Sequence, residues 1–270
     1  MNTWVIARST FGELIRKRIG LYVLFSAIVF IILSQLFASL SMQSSITAAS
    51  TRSGSVEVTV IKSMAFGIIV VGGLILSIFL SFDLVPSDVD KKTIYTILSK
   101  PVHRWQYVLG KYFGTSLALL MNVAFMGFAL LVLVYFKTGF WQWPILAGVL
   151  LLLIQFLVLA GISVVLSLVV SRNINVALCF AFYIMGTVSE FWQDIAKTTE
   201  VTYIRWLGDF LHLAIPNFYN FNLTNSLVHL ERWREIPSPG TDVGLGVVYG
   251  VLWIVGLMVL ASSIFSRKEV

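Results

Sequence analysis

Long apolar runs separated by shorter polar stretches dominate the chain. Six runs meet or approach the roughly 20 residues that a helix rising 1.5 Å per residue needs to cross a hydrocarbon core. They cover about 19–40, 63–84, 112–136, 144–170, 174–189 and 243–265, the fifth being the shortest. The first is too long for a signal-peptide core and is not followed by an Ala-x-Ala site, so it reads as a retained span. Ahead of it, Trp4, Ala7, Phe11, Leu14 and Ile15 recur at helical spacing while Arg8, Glu13 and Lys17 fall off that stripe. Residues 2–18 therefore predict a helix lying in the membrane interface and ending at the basic elbow Arg16, Lys17, Arg18. The pattern predicts an all-α, polytopic integral membrane protein with six transmembrane helices in one domain, residues 1–270.

Composition agrees with the pattern. Hydrophobic residues make up 58% of the 270 positions and charged residues 12%, against about half and a quarter in soluble domains. The net charge of +6 comes from basic residues gathered at the ends of apolar runs, which is a footprint of membrane topology and not of nucleic-acid binding. One side receives Arg8, Arg16, Lys17, Arg18, Lys91, Lys92, Lys100, Arg104, Lys111, Arg172, Arg267 and Lys268. The other receives Arg52, Lys62, Lys137, Lys197, Arg205, Arg232 and Arg234. The first set is larger and closer to the spans, which places both termini and the loop 85–111 in the cytoplasm. Cys179, the single cysteine, falls in an apolar run as a small packing residue and forms no intrachain disulfide.

The loops differ in kind. Residues 41–62 are Ser/Thr-rich and read as an outer hairpin. Residues 137–143 make a tight turn with Trp141 and Trp143 at the headgroup level. Residues 191–242 are too long for an unstructured connection and predict elements of their own, with Tyr203, Ile204, Leu207, Leu211 and Ile215 on one helical face. In the segment 88–111, Ile94, Ile97 and Leu98 share a helical face, while Thr93, Thr96 and Lys100 form a polar side. Pro101 ends that short helix. A second helix with Trp105, Val108 and Leu109 as its ridge then runs into the third span. The product is a helix lying on the membrane surface and joined by a bend to a membrane-crossing one, a shape that can pass a push from a soluble partner into a span.

This segment resembles the coupling loop of type-2 ABC exporter permeases, which carry an acidic residue, Gly-Thr, a few apolar residues, Leu-Ser-x-Pro-Val-x-Arg and then Leu-Gly-Lys. Thr93, Leu98, Ser99, Pro101, Val102, Arg104, Leu109, Gly110 and Lys111 match. Lys92 stands where the family has Gly, and Asp88 and Asp90 stand where it has Glu. A weaker likeness lies at 215–221, Ile-Pro-Asn-Phe-Tyr-Asn-Phe, similar to a Pro-Asn-Phe stretch before the last span of some of these permeases. The resemblance implies the transmembrane subunit of an ATP-driven exporter, working as a homodimer or beside a homologous permease, and bound to a separate ABC ATPase that carries ATP and Mg. It implies ATPase-coupling contacts from Asp88, Asp90, Thr93, Ile94, Ile97, Leu98, Ser99, Lys100, Pro101 and Arg104. It also implies short helices in the outer loop, where an extracytoplasmic partner could bind, and a bacterial inner-membrane location with lipid all round.

Other chemistry is thin. The span interiors so bounded contain no Asp, Glu, Lys, Arg or His, with Asp83 and Glu190 at span ends, which weakens an ion-coupled carrier. Gly110-Lys111 lacks the upstream glycine and following Ser/Thr of a phosphate-cradling loop, so no nucleotide cofactor is expected in this chain. His103, His212 and His229 are scattered without a His-Glu-x-x-His pattern, and no Gly-x-Ser-x-Gly elbow occurs, so neither a metal nor a catalytic residue is assigned. Gly72, Gly73 and Gly161 are candidates for close helix approach. An ATP-independent channel or carrier, and a membrane scaffold for assembly factors, remain the alternative classes.

Overall fold

The computed structural model describes residues 3–16, 18–43, 53–90, 103–189, 203, 215–221 and 239–267. Among them the elements are helical throughout: α1 Thr3–Arg16, α2 Ile19–Gln43, α3 Ser53–Ser81, α4 Pro86–Asp90, α5 Arg104–Thr138, α6 Pro144–Ser167, α7 Arg172–Thr187, a 3-10 turn at Phe218–Phe221, and α8 Pro239–Arg267. Among the described residues four helices are long and apolar enough to cross a membrane, at Val58–Asp88, Arg104–Thr138, Pro144–Ser167 and Val243–Arg267, and α2 adds the shorter apolar stretch Gly20–Leu33. The chain passes back and forth between two ends of the bundle. Arg16, Asp88, Arg104, Ser167 and Arg267 lie at one, here called proximal. Ser53, Thr138, Pro144 and Pro239 lie at the other, here called distal.

The core is centred on α6, whose buried positions occur on every face: Leu151, Phe156, Val158, Leu159, Ala160 and Val164 are all sealed. A helix that is apolar all round is stable only where neighbours cover it all round, and α3, α5, α7 and α8 all pack on it. Gly73 of α3 sits against the Phe156 ring, where any Cβ would clash, so the two helices approach at that point through the missing side chain. Gly72 and Gly161 also lie at helix contacts, facing Met126 and Leu257. By contrast α8 turns Leu245, Val248, Leu252, Val255 and Val259 outward. Such a face needs lipid or a further protein surface to cover it.

Several helices outrun the apolar runs. α3 starts at Ser53, so residues 53–62 are helical and do not belong to a loose outer hairpin. Extending an existing helix costs little per residue, and Ile61 and Lys62 are already buried in this stretch. α5 starts at Arg104 and runs 35 residues without a break, about 52 Å at the helical rise. It stops where Gly139, at φ 75°, takes the left-handed conformation and donates its N–H to Tyr135 O. The reading that span interiors lack ionisable groups is corrected with these limits, because Lys62 and Lys111 are both buried inside long helices.

α1 is docked along α5. Ile6, Ala7, Thr10 and Leu14 face inward, while Trp4 and Ile15 of the apolar stripe remain exposed. Two glycines of α5 make this fit possible. A Cβ on Gly114 would lie 2.7 Å from Ala7 O, and one on Gly110 would lie 2.7 Å from Ile6 Cβ. At the distal end the segment 215–221 is inserted between α6, α7 and α8, with Phe218 and Phe221 buried. Asn217 fastens it: its Oδ1 accepts from the Ser189 hydroxyl and the Tyr219 N–H, and its own N–H donates to Tyr249 Oη at 2.8 Å. Rings of Tyr183, Phe218, Phe221, Tyr249 and Trp253 continue the contact. The expected outer-loop helix from Tyr203 to Ile215 lies largely outside the described residues.

Candidate functional site

The first two turns of α5 present Arg104, Tyr107 and Lys111 along one side, at the three- and four-residue steps that stack side chains on a helix. Gln106, at the third helical position, accepts from the His103 N–H at 3.4 Å and steadies this helix start. Each of the three side chains binds a different element. The Tyr107 hydroxyl donates to Asp88 Oδ2 at 2.7 Å, tying α4 to α5. Lys111 Nζ lies 2.8 Å from the same oxygen and 3.8 Å from Glu13 Oε2, which brings in α1. The ammonium also sits 5.9 Å from the centre of the Tyr107 ring, within reach of a cation–π attraction. Arg104 Nη1 donates to Ser266 O at 3.2 Å and Phe265 O at 3.5 Å. Those are among the last carbonyls of α8, where a cation is favoured. The Tyr107 ring stacks on Phe265 at 5.4 Å.

The cluster is dry. Lys111 is 5% exposed, Asp88 6% and Tyr107 0%. Burying an ammonium or a carboxylate costs several kcal/mol unless it is paired and hydrogen-bonded. Here Lys111 is shared between two carboxylates, and Asp88 accepts from both a cation and a hydroxyl. The residues thus satisfy one another, with Lys111 as the cation that both carboxylates share. A second, more open pair lies nearby: Arg172 Nε, at the start of α7, is 2.8 Å from Asp83 Oδ1 just after α3.

The geometry bears directly on the segment between α4 and α5. Asp88 stands at its beginning and Arg104 at its end, and both are anchored. Asp88 is held to Tyr107 and Lys111, so the two stalks of the loop are fastened to each other. Of the residues singled out for coupling, Asp88 is placed inward and engaged within the protein, and Arg104 is half-buried against α8. Asp90 ends α4, and its side chain lies outside the description. Thr93, Ile94, Ile97, Leu98, Ser99, Lys100 and Pro101 lie outside the described residues. Glu13 and Tyr107 were not among the candidates. The step from Arg104 to Tyr107 to Lys111 is readable in the sequence, but nothing near Glu13 announces its partner 98 positions away. Among the described residues no group of three His, Cys, Asp or Glu side chains is placed to hold a metal.

A family model described as ABC-2 family transporter protein matches residues 4–270. The chain belongs to the ABC-2 transporter family. The match includes α1, the anchored loop and the 215–221 insertion, so every feature described above falls within an ABC-2 permease. Membership makes the protein a membrane-embedded transport subunit, consistent with its four long apolar helices, and implies an ATPase partner in general. No curated protein matches the chain.

Proposed function

We propose that this ABC-2 permease is the transmembrane subunit of an ATP-driven exporter, with six spans, both termini in the cytoplasm and the proximal end facing the ATPase. The two spans beyond the four long apolar helices are α2 and α7, the latter 16 residues long. Two copies, or one copy and a homologous permease, enclose the path under two-fold symmetry, because one six-span subunit has too few helices to line a wide path and shield it from lipid. ATP and Mg are held by the separate ATPase. The loop residues Thr93, Ile94, Ile97, Leu98, Ser99, Lys100 and Pro101 supply its docking surface in the inner membrane of a bacterial cell.

One observation carries this reading: the stalks of the 91–102 loop are bolted to each other and to both ends of the chain. A push delivered to that loop reaches α5 through Arg104, α8 through Phe265 and Ser266, and α1 through Lys111 and Glu13. Asp88 acts in this scheme as a positioning residue that holds the loop's first stalk. The test uses the permease expressed with its ATPase. Ile97→Asp places an unpaired carboxylate at the apolar centre of the contact, and should abolish co-purification and transport at normal abundance. Arg104→Glu sets a carboxylate against the last carbonyls of α8 and should give a milder loss of transport by loosening that joint. Normal ATPase binding and transport in both variants would exclude the loop as the coupling element.

A further inference from the structure

A cavity of about 480 Å³ opens where α1 leans on α5. Trp4, Arg8 and Phe11 line it from α1, and Phe113, Leu117 and Leu120 line it from α5. The α5 residues follow one another at steps of four and three, so they form a single ridge down the helix. Arg8 alone among the lining residues is charged. It is exposed, and among the described residues it makes no ion pair; Glu13, the carboxylate of α1, is engaged by Lys111. Ser116, also in the lining, already donates its hydroxyl to Tyr112 O.

The cavity lies at the level of a headgroup layer. Trp141 and Trp143, exposed just past the end of α5, mark that layer at the distal end. A hydrocarbon core of about 30 Å takes about 20 helical residues, which lead back from Thr138 to Ala118. Gly110 and Gly114, where α1 docks, stand about one and two turns farther out. Arg8 is therefore held among headgroups, while Leu117 and Leu120 enter the hydrocarbon. At Leu120 the cavity meets a second apolar hollow of about 700 Å³ between α5 and α6, floored where Gly127 meets Val149. From Phe113 to Gly127 this trough is about 21 Å long at the helical rise, more than the roughly 15 Å of one leaflet's hydrocarbon.

We propose that the α1–α5 trough is a binding site for an anionic phospholipid of the proximal leaflet. Its phosphate would pair with the Arg8 guanidinium, and one acyl chain would lie along Phe113, Leu117 and Leu120. A protein helix seated here would cover the ridge and leave Arg8 without a counter-charge. A zwitterionic lipid brings a cation together with its phosphate. The charged mouth and apolar trough thus favour a ligand with net negative charge and at least one chain. The site does not depend on the export reading, since it can be tested on the isolated subunit.

Native mass spectrometry of the full-length subunit in zwitterionic detergent tests it, with equal phosphatidylglycerol and phosphatidylcholine as probes. Wild type should retain phosphatidylglycerol about fivefold more tightly, which converts to about 1 kcal/mol, the scale of one arginine beside an anionic leaflet. Arg8→Gln should abolish the preference and Arg8→Lys should keep most of it. Arg16→Gln removes the same charge from α1 at an exposed position outside the cavity, and should leave the preference unchanged. Leu117→Trp, which fills the trough, should lower phosphatidylglycerol retention severalfold, whereas Leu252→Trp on the outward face of α8 should not. Equal retention of the two lipids by wild type overturns the proposal, as does an equal loss in Arg8→Gln and Arg16→Gln or full retention in Leu117→Trp. Displacement by glycerol phosphate at constant ionic strength, a headgroup without chains, overturns the assignment to a lipid. Release of the lipid whenever two subunits pair would give the trough to a second copy and overturn it too.

Discussion

The two ends of this bundle bury polar side chains in opposite ways. At the proximal end Glu13, Asp88, Tyr107 and Lys111 come from three helices and complete one another. At the distal end Lys62 is 2% exposed and Gln142 4%, and among the described residues Lys62 makes no ion pair and Gln142 Oε1 has no hydrogen-bond partner. Desolvation penalises both sites, so burial alone does not separate them. What differs is where compensation comes from. The proximal cluster is compensated from within, which makes it a rigid joint. The distal groups stand on separate elements, α3 and the turn before α6, with no such mutual arrangement among the described residues.

Breaking the proximal end should give the largest effect. Lys111→Met keeps the volume but takes the cation at 2.8 Å away from the buried Asp88 carboxylate, a change worth about 3–5 kcal/mol. At roughly 2–4 °C per kcal/mol for a chain of this size, the unfolding midpoint in detergent should fall by about 6–20 °C. A midpoint within a few degrees of wild type would mean that the carboxylates find other partners, and the joint would not be one. Tyr107→Phe is a finer cut. It keeps the stack on Phe265 and removes only the hydroxyl donated to Asp88, a bond to a charged group worth about 1.5–3 kcal/mol. The midpoint should drop by an intermediate amount, and a Lys111→Met, Tyr107→Phe double variant should lose less than the sum, since both bonds end on one oxygen. At the distal end the sign should reverse. In zwitterionic detergent without anionic lipid, Lys62→Met removes a charge that has no described partner. It should leave the midpoint unchanged or raise it by the equivalent of about 1 kcal/mol. A clear fall there would show that the lysine is paired inside the protein, and the contrast between the ends would vanish.

Hydropathy made the long helices legible, because length and apolarity are what a bilayer requires of a single helix taken alone. It mislocated their ends for a related reason. An apolar run stops at its first charge, so α3 was taken to begin after Lys62 and the lysine was assigned to the outside. The aliphatic stem of that residue in fact continues the buried face that includes Phe66 and Ile69. Loop residues Asp88 and Arg104 stood out through a sequence pattern, yet their inward contacts did not. Tyr107 is an ordinary aromatic in an amphipathic turn until Asp88 and Phe265 are brought to it. Glu13 was read as the polar side of an interfacial helix, since the stripe on α1 predicts which way it faces lipid and not which helix it lies against. Gly110 and Gly114 were the available sign, as two small residues four positions apart on one helix face suggest a neighbour at close range.

The bond from Arg104 to the end of α8 joins residues 161 and 162 positions apart. At a synthesis rate of about 5–20 residues per second, roughly 10–30 s separate the emergence of the two partners from the ribosome. For all of that interval the guanidinium has no α8 to hold, and Tyr107 has no ring to stack on. The joint beneath the loop is completed only once α8 has been made, so a subunit cut before Phe265 lacks both the carbonyls that Arg104 holds and the ring on which Tyr107 stacks. The wait for α8 sets the earliest moment at which this joint can lock.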